Sequence, residues 1–160
     1  MTTQPAIRPA RPEDCDGIAD AVRRLAADTA SPTVPRISGA TLRAEAFGAS
    51  PHVHLWVADA GDRLAGILIG VRTLSTWRDA AGLYVCDLWV DGTYRGARLG
   101  EQLLAEAARA APALGLGFMK LEVAAQNVDA MRFYRRLGFR ALESDTLWVL
   151  ERAAFERLGS

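Results

Sequence analysis

A loop with three glycines separates a strand-like segment from a helix-like segment at residues 90–104. Its glycines are Gly92, Gly96 and Gly100. A helix start exposes about four unpaired N–H groups and the positive end of a dipole of about half a charge, which suits a pyrophosphate group. Glycine also lets the backbone come close to such an anion. The loop lacks the Gly-Lys-Ser/Thr of a P-loop and the Gly-x-Gly-x-x-Gly of a Rossmann fingerprint, so an ordinary strand-to-helix turn is the alternative interpretation.

A second segment, residues 127–139, combines aromatic residues with an asparagine at the point where the chain leaves a strand. Phe133 and Phe139 suit a core, whereas Tyr134 follows Phe133 and points off that face. A phenol with a pKa near ~10 can donate a proton to a departing anion. The segment therefore predicts Tyr134 as a proton donor, and it leaves Asn127 open between helix capping and ligand binding.

In this order, the two segments resemble the acetyl-CoA-dependent N-acetyltransferases of the GNAT superfamily. The resemblance rests on Arg-Gly-x-x-x-Gly before a Leu-Leu helix, followed by Asn-x-x-Ala-x-x-Phe-Tyr-x-x-Leu-Gly-Phe. It spans nearly the whole chain, because residues 7–14 resemble the family's first strand and helix. Residues 47–51, 75–77, 83–88 and 147–150 are most similar to the diamine and polyamine acetyltransferase branch.

The resemblance implies acetyl-CoA as the co-substrate and implies which residues bind it. The strand backbone would meet the pantetheine arm and the thioester at Leu88, Trp89 and Val90. The loop would hold the pyrophosphate with Arg95, Gly96, Ala97, Arg98, Leu99, Gly100 and Glu101. Asn127 would support the cofactor, and Tyr134 would protonate the leaving thiolate. One departure in the loop is Arg98, where the family usually has Gly; the loop is then less pliable, although an Arg adds charge toward phosphates.

A second departure concerns the base, because the polyamine branch often has Glu where this chain has Cys86. A primary amine with a pKa near ~10.4 is protonated at neutral pH and attacks a thioester only after losing that proton. Asp87 is the candidate, as the base directly or through water, or as a substrate anchor. Strand alternation places Asp87 opposite Cys86 and Leu88, and only one face sees the cleft. Cys86 as an acyl-carrying nucleophile is the lesser alternative, since a small buried thiol is the ordinary interpretation.

The expected acceptor is the primary amine of a small molecule: a diamine or polyamine, a lysine-like amino acid or an aminoglycoside. The region expected to shape its pocket, residues 30–51 and 75–82, holds only the acids Glu45 and Asp79. A polycation pocket needs more acids to offset the desolvated ammonium groups. A protein N-terminus or lysine side chain is therefore an alternative acceptor. A non-catalytic CoA-binding sensor or scaffold is a further alternative, favoured by Cys86 and opposed by Tyr134.

Metal chemistry is not expected, because His52 and His54 lie two residues apart with no third ligand beside them. Glu122 is interpreted as a surface acid.

Hydrophobic periodicity and turn signals predict the elements that position these residues. They are helices over 12–27 and 40–47, strands over 53–58, 65–74 and 83–90, a helix over 99–111, a strand over 118–123, a helix over 129–137 and a strand over 146–150. The order predicts one α/β (α+β) domain over residues 1–160. Its GNAT-like central sheet is mixed, mostly antiparallel and flanked by helices.

Composition and charge indicate which classes of binding partner and which cellular location to expect. The 160 residues include 19 basic and 19 acidic side chains, so the formal net charge is zero and there is no global electrostatic attraction to nucleic acid or an anionic membrane. Any anion site must therefore be local. Residues 1–5 lack the basic start of a leader peptide, and no segment approaches the ~20 apolar residues of a membrane span. The two cysteines, Cys15 and Cys86, form no disulfide framework, so a cytoplasmic location is expected. A homodimer is kept as a candidate assembly.

Overall fold

The structure is a computed structural model that describes residues 4–143 and 145–159. The expectation that no leader peptide begins the chain rests in part on Met1, Thr2 and Thr3, which lie outside the described residues. Contacts divide the chain into two compact units, with Glu122 the last residue of the first and Val123 the first residue of the second. The single domain over residues 1–160 stays a prediction.

The first unit contains a sheet and three helices. Its elements are β1 (Ala6–Pro9), α1 (Cys15–Asp28), α2 (Gly39–Phe47), β2 (Val53–Asp59), β3 (Leu64–Ser75), β4 (Ala80–Val90), α3 (Leu99–Ala110) and β5 (Met119–Leu121). Short 3₁₀ turns at Pro12–Asp14 and Gly92–Tyr94 precede α1 and follow β4. The predicted elements of this unit are confirmed, with ends that shift by a few residues.

The five strands form one sheet in the order β1-β2-β3-β4-β5. The first three pairings are antiparallel and join strands that follow one another along the chain. β4 and β5 pair in parallel, with α3 between them in sequence, as a parallel connection requires. The predicted mixed, mostly antiparallel sheet flanked by helices is confirmed.

Helices cover both faces of the sheet. Ile18 and Val22 of α1 pack in one buried cluster with Val57, Ile67 and Trp89 of the sheet. On the opposite face, a Cβ atom at Gly66 would lie 3.2 Å from Leu103 Cδ1 of α3, so a glycine here lets the helix come close. The helical spacing of the buried α1 residues, and the unbroken run of buried β3 residues from Ala65 to Gly70, agree with a sheet that is covered on both faces.

A partly buried ion-pair group joins β1, the start of α1 and β2. Arg8 Nη1 lies 2.7 Å from Asp14 Oδ2, and Arg8 Nη2 lies 2.8 Å from Asp59 Oδ2. The hydrogen bond from Arg8 lowers the pKa of Asp14. Charged groups removed from water need such partners, so Arg8 fixes the N-terminal strand to its neighbours.

The second unit contains α4 (Val128–Arg136) and α5 (Arg152–Leu158). The strand predicted over 146–150 is wrong: these residues form no ladder, and Leu147, Trp148, Val149 and Leu150 are all exposed. Their strand-like composition cannot replace a hydrogen-bonded neighbour, which this segment lacks among the described residues. α5 follows the segment and was not predicted.

No helix within the described ranges combines the length and the apolar character needed to cross a bilayer.

Candidate active site

A β-bulge at Cys86 determines which way the side chains of β4 point. Ile69 of β3 is paired with Asp87, whereas the next residue, Gly70, is paired with Val85, so Cys86 is the extra residue. Paired residues project from the same face, and Asp87 therefore lies on the face of Ile69. Ile69 belongs to the cluster packed against α1. The bulge thus turns Asp87 toward the α1 side of the sheet.

The same register places two aromatic residues on the face of Asp87. Trp89 is paired with Ile67, and Tyr84, before the bulge, is paired with Val71. Leu88, paired with Leu68, points to the opposite face, as expected. Simple alternation cannot be applied between Cys86 and Asp87, because the bulge adds one residue between the two regular halves of the strand.

The strand β4 is paired on both edges only along part of its length. Its pairing with β5 covers Leu83, Tyr84 and Val85, whereas residues 86–90 have β3 as their only strand partner in the described part of the chain. Backbone N–H and C=O groups need hydrogen-bond partners. The free edge of this half, which includes the predicted cofactor residues Leu88, Trp89 and Val90, can therefore bind an extended polar ligand.

Acidic and phenolic groups gather near the bulge. The Tyr84 hydroxyl donates a hydrogen bond to Glu122 Oε1 at 2.9 Å. Burial and then this hydrogen bond raise the pKa of Tyr84 to about 12. Sequence reasoning missed the contribution of Glu122. The signal for it was its position directly after β5, since β5 runs parallel to β4 and carries the following residue along the same strand edge.

Partial loss of hydration has different consequences for the candidate base, Asp87, and the candidate nucleophile, Cys86. It raises the pKa of the Asp87 carboxyl, which brings the group closer to the pKa that a base needs at neutral pH. Cys86 is exposed, so the expectation of a buried thiol is wrong. Partial desolvation, followed by the charge of Asp87, nevertheless raises the pKa of Cys86 to about 11. The Cys86 side chain is then a neutral thiol at physiological pH, and the nucleophilic form of cysteine is the thiolate.

The loop between β4 and α3 contains two residues with positive φ, a feature of anion-binding nests, and we call the segment around Gly96 and Arg98 the nest. Gly96 has a φ of 88° and Arg98 a φ of 60°, and α3 begins at the next residue, Leu99. Residues of left-handed conformation close to right-handed ones turn successive N–H groups toward a common side. The first N–H groups of α3 add to this set, because they have no acceptor within the helix.

Both arginines of this loop are paired with carboxylates of the first unit. Arg98 donates to Glu101 from Nη2 at 2.6 Å and from Nε at 3.0 Å. Arg95 Nη2 donates to Asp28 Oδ2 at 2.7 Å. Arg98 adopts the left-handed conformation despite its side chain, so the loop keeps a shape usually associated with glycine. Its guanidinium lies on Glu101 rather than free for a phosphate.

The remaining predicted residues belong to the second unit. The Asn127 side chain accepts a hydrogen bond from the Ala130 N–H at 3.1 Å and so caps α4. Tyr134 makes edge-to-face contacts with Phe133 and Phe139, at centroid distances of 5.1 and 5.4 Å. Burial raises the pKa of Tyr134 above its usual value, so its phenol is protonated at neutral pH. The capping role of Asn127 and a cofactor contact through its amide nitrogen are compatible.

Sequence comparison connects this chain to known enzymes. The family model described as "Acetyltransferase (GNAT) family" matches residues 19–139. Thialysine N-epsilon-acetyltransferases of Bos taurus and Mus musculus are each 30% identical to the chain, and each match covers 89% of this chain and 88% of the relative.

Structural comparison shows the same fold in more distant proteins. An integron cassette protein from the mobile metagenome of V. cholerae has a TM-score of 0.78 and 17% identity, covering 98% of both chains. An aminoglycoside acetyltransferase from an uncultured soil metagenomic sample, in complex with sisomicin, has a TM-score of 0.75 and 15% identity, covering 92% of this chain and 95% of that one. The chain belongs to the acetyltransferase (GNAT) family and is an N-acetyltransferase.

Proposed function

We propose that the enzyme transfers the acetyl group of acetyl-CoA directly to the primary amine of a small molecule. The observation that carries this proposal is the position of Asp87. The bulge turns this carboxylate toward the α1 side of the sheet, beside the half of β4 whose other edge has no strand partner in the described residues. A carboxylate with a raised pKa at such an edge suits the removal of a proton from an ammonium group.

The residues of the first unit fit a CoA pyrophosphate. The nest formed around Gly96 and Arg98 leads into the N-terminus of α3, and a Cβ atom at Gly96 would meet nothing within 4 Å. An anion can therefore approach the backbone there. The proposed cofactor residues are the backbone of Leu88, Trp89 and Val90, the loop Arg95, Gly96, Ala97, Arg98, Leu99, Gly100 and Glu101, and the amide of Asn127. Acetyl-CoA supplies the activated acetyl thioester.

The proposed mechanism uses two proton transfers by the protein. Asp87 takes a proton from the ammonium group of the acceptor, and the neutral amine then attacks the thioester carbonyl. The C–N bond forms, the C–S bond breaks, and Tyr134 gives its proton to the leaving sulfur. Cys86 stays a thiol and forms no acyl intermediate, in keeping with a pKa of about 11. We propose no metal in this reaction.

A lysine-like amino acid is the acceptor that we favour. Two relatives with 30% identity are named for activity on thialysine, whose reacting group is a side-chain amine. Of the two acids in the segments expected to shape the pocket, Glu45 Oε2 lies 3.1 Å from His52 Nε2. Few acids remain for the additional ammonium groups of a polyamine, each of which would need a partner when desolvated. Diamines, polyamines and aminoglycosides are therefore comparison substrates.

An amine panel with detection of free thiol tests the proposal. Acetyl-CoA is incubated with lysine, thialysine, a diamine, a polyamine, an aminoglycoside and a peptide that offers an N-terminus and a lysine. Release of CoA thiol with a small amine, together with the acetylated product in mass spectrometry, supports the proposal. Release with the peptide alone would establish a protein acceptor instead. CoA binding in calorimetry without turnover on any amine would indicate a non-catalytic module.

We also propose a cellular location and an assembly for the enzyme. A cytoplasmic location suits the free thiols of Cys15 and Cys86. A homodimer is to be tested by sedimentation, and neither nucleic acid nor a membrane is proposed as a partner.

A further inference from the structure

The last residue of α1, Asp28, connects that helix to β4 and to the loop that follows it. One oxygen, Asp28 Oδ2, accepts a hydrogen bond from Trp89 Nε1 at 3.0 Å and another from Arg95 Nη2 at 2.7 Å. Trp89 is 5% exposed, so its indole N–H is withdrawn from water and needs this acceptor. Arg95 is the residue immediately before Gly96, where the nest begins.

The location of Asp28 is unusual for an acid. A helix ends with exposed carbonyl groups and a negative dipole end, where a carboxylate is unfavourable and a basic residue is favoured. The last turn of α1 has no basic residue. An acid placed against this local preference is compensated elsewhere, here by the guanidinium of Arg95.

A second ion pair joins the same two elements with the charges reversed. Arg24, one turn before Asp28, has its Nη1 3.6 Å from Asp91 Oδ2, and its guanidinium lies 5.9 Å from the centre of the Trp89 ring. Asp91 in turn accepts hydrogen bonds from the backbone N–H of Thr93 at 2.9 Å and from its hydroxyl at 2.7 Å. The end of α1 therefore contacts the loop at both Asp91 and Arg95.

We propose that Asp28 is a positioning residue for the cofactor loop: by holding Arg95 and Trp89 on one carboxylate oxygen, it fixes the backbone from β4 to the nest around Gly96 in the shape that binds the CoA pyrophosphate. Asp28 does not touch the cofactor itself. This role rests on the proposed function, because it presumes that the loop binds CoA. Its effect on the order of the loop can nevertheless be measured without CoA.

The test compares Asp28→Asn with a matched control in the same helix, Asp20→Asn. Asparagine keeps an oxygen for the Trp89 indole but removes the charge that pairs with Arg95. Asp20 forms an equally short pair with Arg23, 2.8 Å apart, which involves neither β4 nor the loop. Circular dichroism and thermal unfolding establish that both variants are folded.

Hydrogen–deuterium exchange of a peptide covering residues 91–101, without CoA, is the first measurement. We expect faster exchange in Asp28→Asn and unchanged exchange in Asp20→Asn. Calorimetry with CoA is the second: Asp28→Asn should raise the Kd by about three- to tenfold, the range expected for a charge-assisted contact at a partly exposed site. With a turnover assay, the KM for acetyl-CoA should rise while kcat at saturating acetyl-CoA stays within about twofold.

A double-mutant cycle tests whether Asp28 acts through its ion pair with Arg95. Arg95→Gln should reproduce the effect of Asp28→Asn, and the double variant should be no weaker than either single variant, since both remove the same interaction. Wild-type exchange and wild-type Kd in Asp28→Asn would overturn the proposal, as would fully additive losses. If the wild-type chain bound no CoA, the proposed function would fail, and the exchange data alone would decide whether Asp28 orders the loop.

Discussion

The Arg98 guanidinium donates two hydrogen bonds, of 2.6 and 3.0 Å, to the carboxylate of Glu101. The backbone of Arg98 is in the left-handed region, with a φ of 60°. The pair closes the loop onto the first turn of α3, where an acid is also favoured by the helix dipole. The left-handed conformation costs a residue with a side chain about 1–2 kcal/mol, which glycine does not incur. The loop shape is therefore maintained at a position where the backbone is strained.

Two substitutions of Arg98 separate its backbone from its guanidinium. Both Arg98→Gly and Arg98→Ala remove the pair with Glu101, but only alanine retains the left-handed strain. We expect the free energy of unfolding, measured in urea, to be about 1 kcal/mol higher for Arg98→Gly than for Arg98→Ala. CoA affinity should be at least as high in Arg98→Gly as in the wild type. Loss of affinity to the same extent in both variants would mean that the guanidinium binds phosphate.

Tyr134→Phe tests the proposed proton donor. Turnover should fall about 10²-fold or more, while the Kd for acetyl-CoA stays nearly unchanged, because the phenol acts on the leaving sulfur. Since the pKa of Tyr134 is raised by burial, any loss of wild-type activity from this group should begin at a higher pH than for an ordinary tyrosine. Phe139→Leu is the packing control: it removes the ring contact at 5.4 Å but leaves the phenol in place. Equal losses in the two variants would indicate a packing role for Tyr134.

The sequence predicts those features of this fold that arise from neighbouring residues. The start of α3 follows from the glycines of its loop, and the start of α4 follows from Asn127, whose side chain caps it. The same local logic fails for residues 146–150, because strand-like composition does not form a strand without a neighbouring strand to pair with.

Features that depend on distant residues could not be predicted. The face of Asp87 depends on the β3–β4 register and on the bulge at Cys86, which no pattern within β4 reveals. Arg95 and Trp89 both donate hydrogen bonds to Asp28, which lies more than 60 positions earlier in the chain. In the sequence alone, Glu122 is interpreted as an isolated surface acid. The parallel pairing of β4 and β5 places it within hydrogen-bond distance of Tyr84.

Asp87→Asn should stabilise the protein at neutral pH. Burial raises the pKa of Asp87 in the folded state, so the folded chain binds more protons than the unfolded chain between the unfolded and folded pKa values. Stability attributable to this group therefore falls as pH rises through that window and stays lower above it, and the neutral amide avoids this loss. Thermal unfolding at pH 7 should give a higher Tm for Asp87→Asn than for the wild type.

Asp14→Asn is the control of opposite sign for this stability prediction. The hydrogen bond from Arg8 lowers the pKa of Asp14, so its contribution is present above the unfolded pKa and is lost as pH falls through the folded one. This substitution should lower the free energy of unfolding at pH 7 by about 1–3 kcal/mol. A lower Tm for Asp87→Asn at pH 7 would contradict a disfavoured charge on the half-buried Asp87.

The pH dependence of turnover tests Asp87 as the base. Wild-type kcat/KM should rise with pH as Asp87 loses its proton, through a pKa above the usual value for aspartate. Asp87→Asn should lower the rate at pH 7 by about 10²- to 10⁴-fold and lose this acidic limb. Its rate should then recover toward a pH near ~10.4, because the acceptor amine arrives there already deprotonated. An unshifted profile with full activity would place the base elsewhere, and Glu122 would be the next acid to substitute.

Cys86→Ser provides the comparison that decides between direct transfer and a covalent route. A thiol with a pKa of about 11 is protonated at neutral pH, so replacing it with a hydroxyl should change kcat by no more than about threefold. No acetyl adduct should appear on the intact chain by mass spectrometry after incubation with acetyl-CoA alone. A severe loss in Cys86→Ser together with an acetylated wild-type chain would assign the thiol as the nucleophile. Asp87, adjacent to the thiol and raising its pKa, would then hinder rather than assist that step, and Asp87→Asn should accelerate formation of the adduct.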